Sequence, residues 1–341
     1  MSKLFPTLHG NEASKKRIAR ALQGGRLPHA FLIDGPEGSG KLTYARLISA
    51  AANCTDKSAD LPCGVCNNCR RILADGFVDV KILSRTSDKA TLGVSEVKEF
   101  REDVYLSPTE SEYKIYIICD AEKLTPEAQN SLLIVLEDPP PGVILMLLAC
   151  GTDKILTTIK SRAQYVSMSR FSDSEIKEYL LANEQAAKAM QRSDPEGFEL
   201  LVLNACGIIG RAKALLDPKN SREMREDHDM LADILDAMSP KVNYATLYKR
   251  ITMLPTKRDE LARALEGLMS GLRDMIVERN GGTAPLLFYS DRQRARALGR
   301  DIGKRRLASY FDIVNKAHAE NYKNANITAL LVNLAAGIKL C

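Results

Sequence analysis

Two groups of residues have types and spacings suited to chemistry. The first is Cys54, Cys63, Cys66 and Cys69, four thiols within sixteen residues. The Cys-x2-Cys spacing lets neighbouring sulfurs meet one tetrahedral ion at about 2.3 Å. Pro62 and Gly64 supply tight turns around Cys63. Four thiolates leave no open coordination position, which suits structural Zn²⁺. An iron–sulfur cluster uses the same ligands and stays open as the alternative. The other four cysteines, Cys119, Cys150, Cys206 and Cys341, are scattered and read as packing or tail residues.

The second group is Gly35-Pro36-Glu37-Gly38-Ser39-Gly40-Lys41, between an apolar run and an amphipathic stretch. Gly35, Gly38 and Gly40 let backbone N–H groups turn inward around anionic oxygens, and a helix N-terminus adds its positive end. Lys41 would reach the outer phosphates of a nucleotide. The following hydroxyl that holds Mg²⁺ in such loops is replaced by Leu42, and Thr43 comes one residue late, about 100° round the helix. Asp120, after the apolar run Tyr113–Ile118, matches a carboxylate that coordinates Mg²⁺. Ala121 stands where a Glu would polarise the attacking water, and Ala cannot accept a proton. Glu122 comes next, but adjacent side chains on a strand point to opposite faces. Two hydrolytic positions thus carry non-functional residue types. The loop reads as nucleotide-binding in ancestry, with ATP and Mg²⁺ doubtful ligands and intrinsic hydrolysis not expected.

These groups need elements to hold them. Apolar strand-length runs at 30–33, 78–83, 113–118, 143–149 and 163–168 alternate with helical patterns at 44–53, 94–106 and 126–136. Such alternation predicts a parallel sheet covered on both faces. Beyond Arg170 only helical periodicity continues, at 172–182, 194–204, 210–216, 229–237, 244–254, 257–278, 292–299, 307–321 and 327–340. A length of 341 residues allows two or three domains. The expected division is an α/β domain over 1–168 with a cysteine module at 54–69, a small helical domain over 169–217, and an all-helical domain over 218–341.

Composition sets outer limits. Hydrophobic residues make up 45% and charged residues 27%, which excludes a disordered, collagenous or rod-like chain. No run approaches the ~18 apolar residues of a membrane span, and the N-terminus lacks the apolar core of a secretory signal, so a cytoplasmic chain with reduced thiols is expected. The net charge of +5 does not by itself indicate nucleic acid. Charge does cluster at Arg292, Arg294, Arg296, Arg300, Lys304, Arg305 and Arg306. That cluster is either a solvated or interface helix face, the favoured reading, or a phosphate-contacting stripe of a DNA-binding module.

Several segments together resemble the bacterial clamp-loader subunits of DNA polymerase III, an AAA+ family. They are His9-Gly10-Asn11, Arg26-Leu27-Pro28-His29-Ala30-Phe31-Leu32, the glycine loop, and Pro62-Cys63-Gly64-Val65-Cys66-Asn67-Asn68-Cys69. Leu124-Thr125-Pro126-Glu127-Ala128-Gln129-Asn130-Ser131-Leu132-Leu133 and Leu136-Glu137-Asp138-Pro139-Pro140 extend the match. Ser161-Arg162-Ala163 is similar to that family's Ser-Arg-Cys motif, with Ala163 in place of Cys, and Gly207-Ile208-Ile209-Gly210-Arg211-Ala212 resembles its second-sensor helix. The matches span residues 9–212.

The resemblance implies an α/β P-loop NTPase (AAA+) domain with an inserted zinc module, then a helical lid and an all-α collar for oligomerisation. Leu42 and Ala121 side with the non-hydrolysing delta-prime type over the gamma/tau motor, which is the alternative if Thr43 or Glu122 substitutes for the missing groups. Arg162 would then act in trans as an arginine finger on a neighbour's ATP. Arg211 would lie at the chain's own nucleotide site or at a domain interface, and Thr152 in the first-sensor region. The implied partners are gamma/tau and delta subunits in a hetero-pentamer, with a sliding clamp and primed DNA reached through the complex. The implied setting is the replisome at the nucleoid, within a DNA-directed DNA polymerase (nucleotidyltransferase) holoenzyme.

Overall fold

The structure, a computed structural model, describes residues 10–25, 27–56, 61–84, 91, 93–323 and 325–340. His9, Arg26 and Cys341 lie outside the described residues. The chain divides into two compact units, residues 1–172 with 208–211, and 173–207 with 212–341.

The first unit is built on strands that are apolar at nearly every position. In chain order its elements are α1 (Glu12–Gln23), β1 (Ala30–Asp34), α2 (Lys41–Ala52), α3 (Asn67–Leu73), β2 (Val80–Leu83), α4 (Val94–Asp103) and β3 (Lys114–Ile118). A short 3₁₀ turn (Ala121–Lys123) follows, then α5 (Pro126–Glu137), β4 (Val143–Ala149), α6 (Thr157–Lys160) and β5 (Gln164–Ser167). The sheet is parallel throughout, in the order β2-β3-β4-β1-β5. Because side chains alternate across a strand, each continuous apolar run feeds two cores. Phe31, Ile33, Ile115, Ile117, Ile144, Met146 and Leu148 pack with Tyr44, Leu47 and Ile48 of α2. Ala30, Leu32, Tyr116, Ile118, Leu145 and Leu147 pack with Val97 and Phe100 of α4 and Leu132, Val135 and Leu136 of α5. Thr125 caps α5 by accepting from the Ala128 N–H at 3.3 Å, with Pro126 in its first turn.

The regular elements of the second unit are all helices among its described residues: α7 (Asp173–Asn183), α8 (Gln185–Ser193), α9 (Pro195–Asn204), α10 (Ile209–Ala214, whose first residues count with the first unit), α11 (Pro218–Ala237), α12 (Tyr244–Ile251), α13 (Arg258–Arg279), α14 (Arg292–Ile302), α15 (Lys304–Tyr322) and α16 (Ile327–Leu340). Its core gathers Leu235, Leu265, Leu268, Leu272, Leu307, Val314 and Leu334 around α13. Two acids of α13, Asp274 and Glu278, are buried there. Asp274 accepts from the N–H groups of Leu287, Phe288 and Tyr289 at 2.8–3.2 Å, fixing the segment before α14.

Five strands and the main helices fall where the apolar patterns place them. The pattern does not reveal α1, α3, α6 and α8, nor the first half of α11. Those segments are short or carry few apolar residues, so periodicity has little to register. Residues 219–223 of α11 are largely exposed, and Asp217 caps the helix by accepting from the Lys219 N–H at 3.0 Å.

Candidate functional site

The glycine loop leaves β1 at Asp34, whose carboxylate accepts from the Gly151 N–H at 2.9 Å and the Tyr165 hydroxyl at 2.8 Å. That ties the start of the loop to the segment after β4 and to β5. Gly38 and Gly40 have φ of +77° and +88°, conformations that side chains rarely adopt, so glycine is required at both. Gly40 then opens α2. Lys41 folds back over the loop. Its ammonium donates to Gly35 O at 2.6 Å, Pro36 O at 3.0 Å and Cys150 Sγ at 3.1 Å. An ammonium has three donors, and all three are engaged.

The residues around the loop differ from a Mg²⁺ site in type and in placement. Leu42 is partly buried and packs against the α2-side core. β3 stops at Ile118, so Asp120 is not its last residue but a turn residue with φ of +53°. Ala121 is fully buried in the other core. Glu122, in the 3₁₀ turn, accepts the Cys150 N–H at 3.0 Å. Cys150 is thus not the packing residue its isolation in the sequence suggested. It is exposed and sits between Lys41 and Glu122. Sequence position gave no signal of this, because the contact joins residues 109 apart.

The segment Ile208–Arg211 belongs to this same unit and lies against the loop. The Gly210 N–H donates to Gly38 O at 3.1 Å. A Cβ on Gly210 would stand 2.5 Å from that oxygen and 2.8 Å from Gly38 Cα. Glycine is needed here for close backbone approach rather than for an unusual φ. The Arg211 side chain is exposed, while its backbone nitrogen lies 3.2 Å from where a Gly38 Cβ would be.

The four clustered cysteines converge. Cys54 and Cys66 Sγ are 4.0 Å apart, Cys63 and Cys69 Sγ are 3.9 Å apart, and all four sulfurs lie within 4.8 Å of one another. A tetrahedral Zn²⁺ with bonds of about 2.3 Å needs sulfurs about 3.8 Å apart. The cluster therefore fits and could hold a metal such as zinc. The Cys66 N–H points at Cys63 Sγ (3.3 Å), and the Cys69 N–H at Cys66 Sγ (3.4 Å), where Cys66 caps α3. Burial pushes the Cys54 and Cys69 thiols up. At Cys66 the burial effect is outweighed by hydrogen bonds from Cys69 and Thr55, which bring the thiol down to about 6. Asn53, which the sequence reading passed over, joins the module to the sheet. Its carbonyl accepts from Asn68 at 3.0 Å, and its side chain exchanges two hydrogen bonds with the Tyr113 backbone.

The sequence profile described as DNA polymerase III, delta subunit, matches residues 10–172, the span that carries the loop, the cysteines and Arg162. DNA polymerase III subunit tau of Bacillus subtilis is 28% identical over 356 aligned positions, covering 99% of this chain and 61% of that protein. Subunit tau of Escherichia coli is 31% identical over 62% of this chain and 32% of its own length. Subunit gamma/tau of Mycobacterium tuberculosis is 33% identical over 47% of this chain and 28% of its own. The chain is related to the clamp-loader subunits of bacterial DNA polymerase III. It spans less than two thirds of the length of these relatives. A solved gamma subunit-related protein of Thermotoga maritima aligns with 95% of the chain at 16% identity and a TM-score of 0.42.

In this clamp-loader relative, Arg162 lies between α6 and β5, and its contacts are not those of Lys41. Its Nη2 pairs with Glu137 Oε1 at 3.0 Å, and its Nη1 donates to Thr158 O at 3.1 Å and Ser161 Oγ at 3.3 Å. Thr152 contributes its backbone, with its carbonyl accepting from Lys160 at 3.2 Å. The basic cluster of the second unit is more engaged than its sequence suggests. Arg292 and Arg296 both pair with the buried Glu278, and Arg294 pairs with Asp236 at 3.0 Å. Gly303 breaks the helix between Arg300 and Lys304, so the i+4 spacing of Arg292, Arg296, Arg300 and Lys304 does not make one continuous helical stripe. No helix among the described residues is long and apolar enough to cross a membrane.

Proposed function

We propose that this chain is a non-hydrolysing clamp-loader subunit of the delta-prime type. It would complete a neighbour's ATP site with Arg162 and help close the assembly around a sliding clamp on primed DNA. The observation that carries the reading is the state of the chain's own loop. All three Lys41 donors are engaged, Leu42 is committed to the core, and Ala121 is buried where a base would be needed. A phosphate would have to displace at least one Lys41 contact, and no hydroxyl at position 42 would hold its Mg²⁺. Where measured in related phosphoryl-transfer enzymes, an arginine supplied by a neighbour contributes ~10³–10⁵ in rate. The proposal includes Zn²⁺ on Cys54, Cys63, Cys66 and Cys69 as a structural ion, a lid over 169–217 and a collar over 218–341. Its partners would be gamma/tau and delta subunits, and its setting the cytoplasmic replisome.

The second reading is an active gamma/tau-like ATPase. It is favoured by the names of the relatives above, which are gamma or tau subunits. Glu122, already bound to the Cys150 N–H, is poorly placed to serve as its base. Turnover by the purified chain separates the two readings. The proposal expects no ATPase above background, and a metal-dependent rate abolished by Lys41→Ala overturns it. In the reconstituted complex, Arg162→Ala is expected to fold normally and to lower ATP hydrolysis and clamp loading. Unchanged complex activity defeats the role given to Arg162.

A further inference from the structure

Within its own chain Arg162 forms an ion pair with Glu137, whose carboxylate sits at an unfavourable place. Glu137 is the last residue of α5, and no basic residue occupies that helix's final turn. A carboxylate at the negative end of a helix is disfavoured, and the Arg162 guanidinium at 3.0 Å offsets this. The other cation of the same turn, Lys160, is directed to Thr152 O instead, so the pairing is specific to Arg162. With Nη1 on Thr158 O and Ser161 Oγ, the guanidinium is folded back on its own turn.

We propose that Glu137 is a positioning residue for Arg162: it holds the guanidinium folded back and yields it only to a stronger multidentate anion, the phosphate oxygens of a nucleotide on a neighbouring subunit. This rests on the reading of Arg162 as a residue that acts in trans. The pair is half open to solvent, with side-chain exposures of 36% and 55%. Exposed ion pairs are weak, so Glu137 acts as a threshold rather than a lock. A phosphate carries more charge than a carboxylate and accepts the planar fork through two oxygens, so it outcompetes Glu137 once a loaded neighbour is in place. An unloaded neighbour offers no such acceptor, and Arg162 stays folded back.

The test has two arms. On the isolated full-length chain, ¹⁵N NMR of arginine side chains reads the pose directly. Arg162 is expected to show hindered guanidinium rotation that Glu137→Gln releases; identical Arg162 signals in both proteins overturn the proposal. In the complex reconstituted with an ATP-hydrolysing partner, without DNA, Glu137→Gln is expected to raise ATP hydrolysis about 1.5- to 5-fold. The increase should shrink between about 50 mM and about 300 mM salt, and vanish in an Arg162→Ala background. An unchanged or lowered rate for Glu137→Gln, with Arg162→Ala inactive, removes Glu137 from its role and leaves Arg162 in place. Full activity of Arg162→Ala removes the trans role itself, whatever the NMR arm gives.

Discussion

Replacing Gly210 with alanine tests whether the segment Ile208–Arg211 is anchored to the glycine loop by backbone alone. The added Cβ would stand 2.5 Å from Gly38 O and 2.8 Å from Gly38 Cα, against the roughly 3.4 Å at which ordinary contact begins. Neither neighbour is a flexible side-chain end, so one backbone must move by roughly 0.9 Å. Overpacking of this kind costs ~1–3 kcal/mol. Loss of the 3.1 Å Gly210 N–H to Gly38 O bond adds about 1 kcal/mol. Stiffening of the unfolded chain returns ~0.4–1 kcal/mol, leaving a net loss of about 1–3.6 kcal/mol. The control is Gly76→Ala, where the nearest atom to a new Cβ is Arg71 O at 3.8 Å and φ is not positive. Native-state hydrogen exchange of peptides covering 35–41 and 208–211 reads the result. Gly210→Ala should speed exchange in both peptides by about 5- to 400-fold, while Gly76→Ala leaves them unchanged. Equal exchange in the two variants would refute the anchoring argument.

Two further outcomes follow from the first unit. Protein purified without chelator should carry about one zinc per chain by elemental analysis, and Cys54→Ser or Cys69→Ser should lose the metal and lower the unfolding temperature. Visible charge-transfer absorption with bound iron would assign an iron–sulfur cluster instead. Asp103 provides a pH prediction. Burial alone would raise its carboxyl, but hydrogen bonds from Lys81 (2.7 Å), Tyr116 (2.5 Å) and Lys114 (3.1 Å) outweigh that and hold it at about 2. A carboxyl lowered on folding stabilises the protein above its unfolded value of ~3.9 and loses that contribution as pH falls toward 2. Wild type should therefore lose about 2 kcal/mol more than Asp103→Asn between pH 5 and pH 2, by denaturant unfolding at each pH. Parallel losses would remove Asp103 as the cause.

Much of the candidate site was legible because it depends on local spacing. Gly38 and Gly40 with Lys41 specify a turn into a helix, and three of the four cysteines are three residues apart, so both groups assemble from neighbours in sequence. Leu42 and Ala121 revealed the missing hydrolytic groups by residue type alone. The strands were legible for a related reason: a segment buried on both faces must be apolar at every position, and β4 is. Helices such as α3 and α8 were not, since a short element with one buried edge leaves few apolar positions to count.

What the sequence determined by itself is therefore the inventory: the turn-forming glycines, the four thiols, the apolar strands and the absence of a hydroxyl and a base where hydrolysis would need them. What the tertiary structure decided is how those groups are used. Lys41 turns to Gly35, Pro36 and Cys150, Arg162 turns to Glu137, Arg292 and Arg296 turn to Glu278, and Gly210 closes on Gly38. Apart from the Lys41 contacts with Gly35 and Pro36, each of these joins residues at least 14 positions apart along the chain. A flexible cation takes whichever acceptor the fold brings within about 3 Å, and residue type and local spacing do not encode that distance.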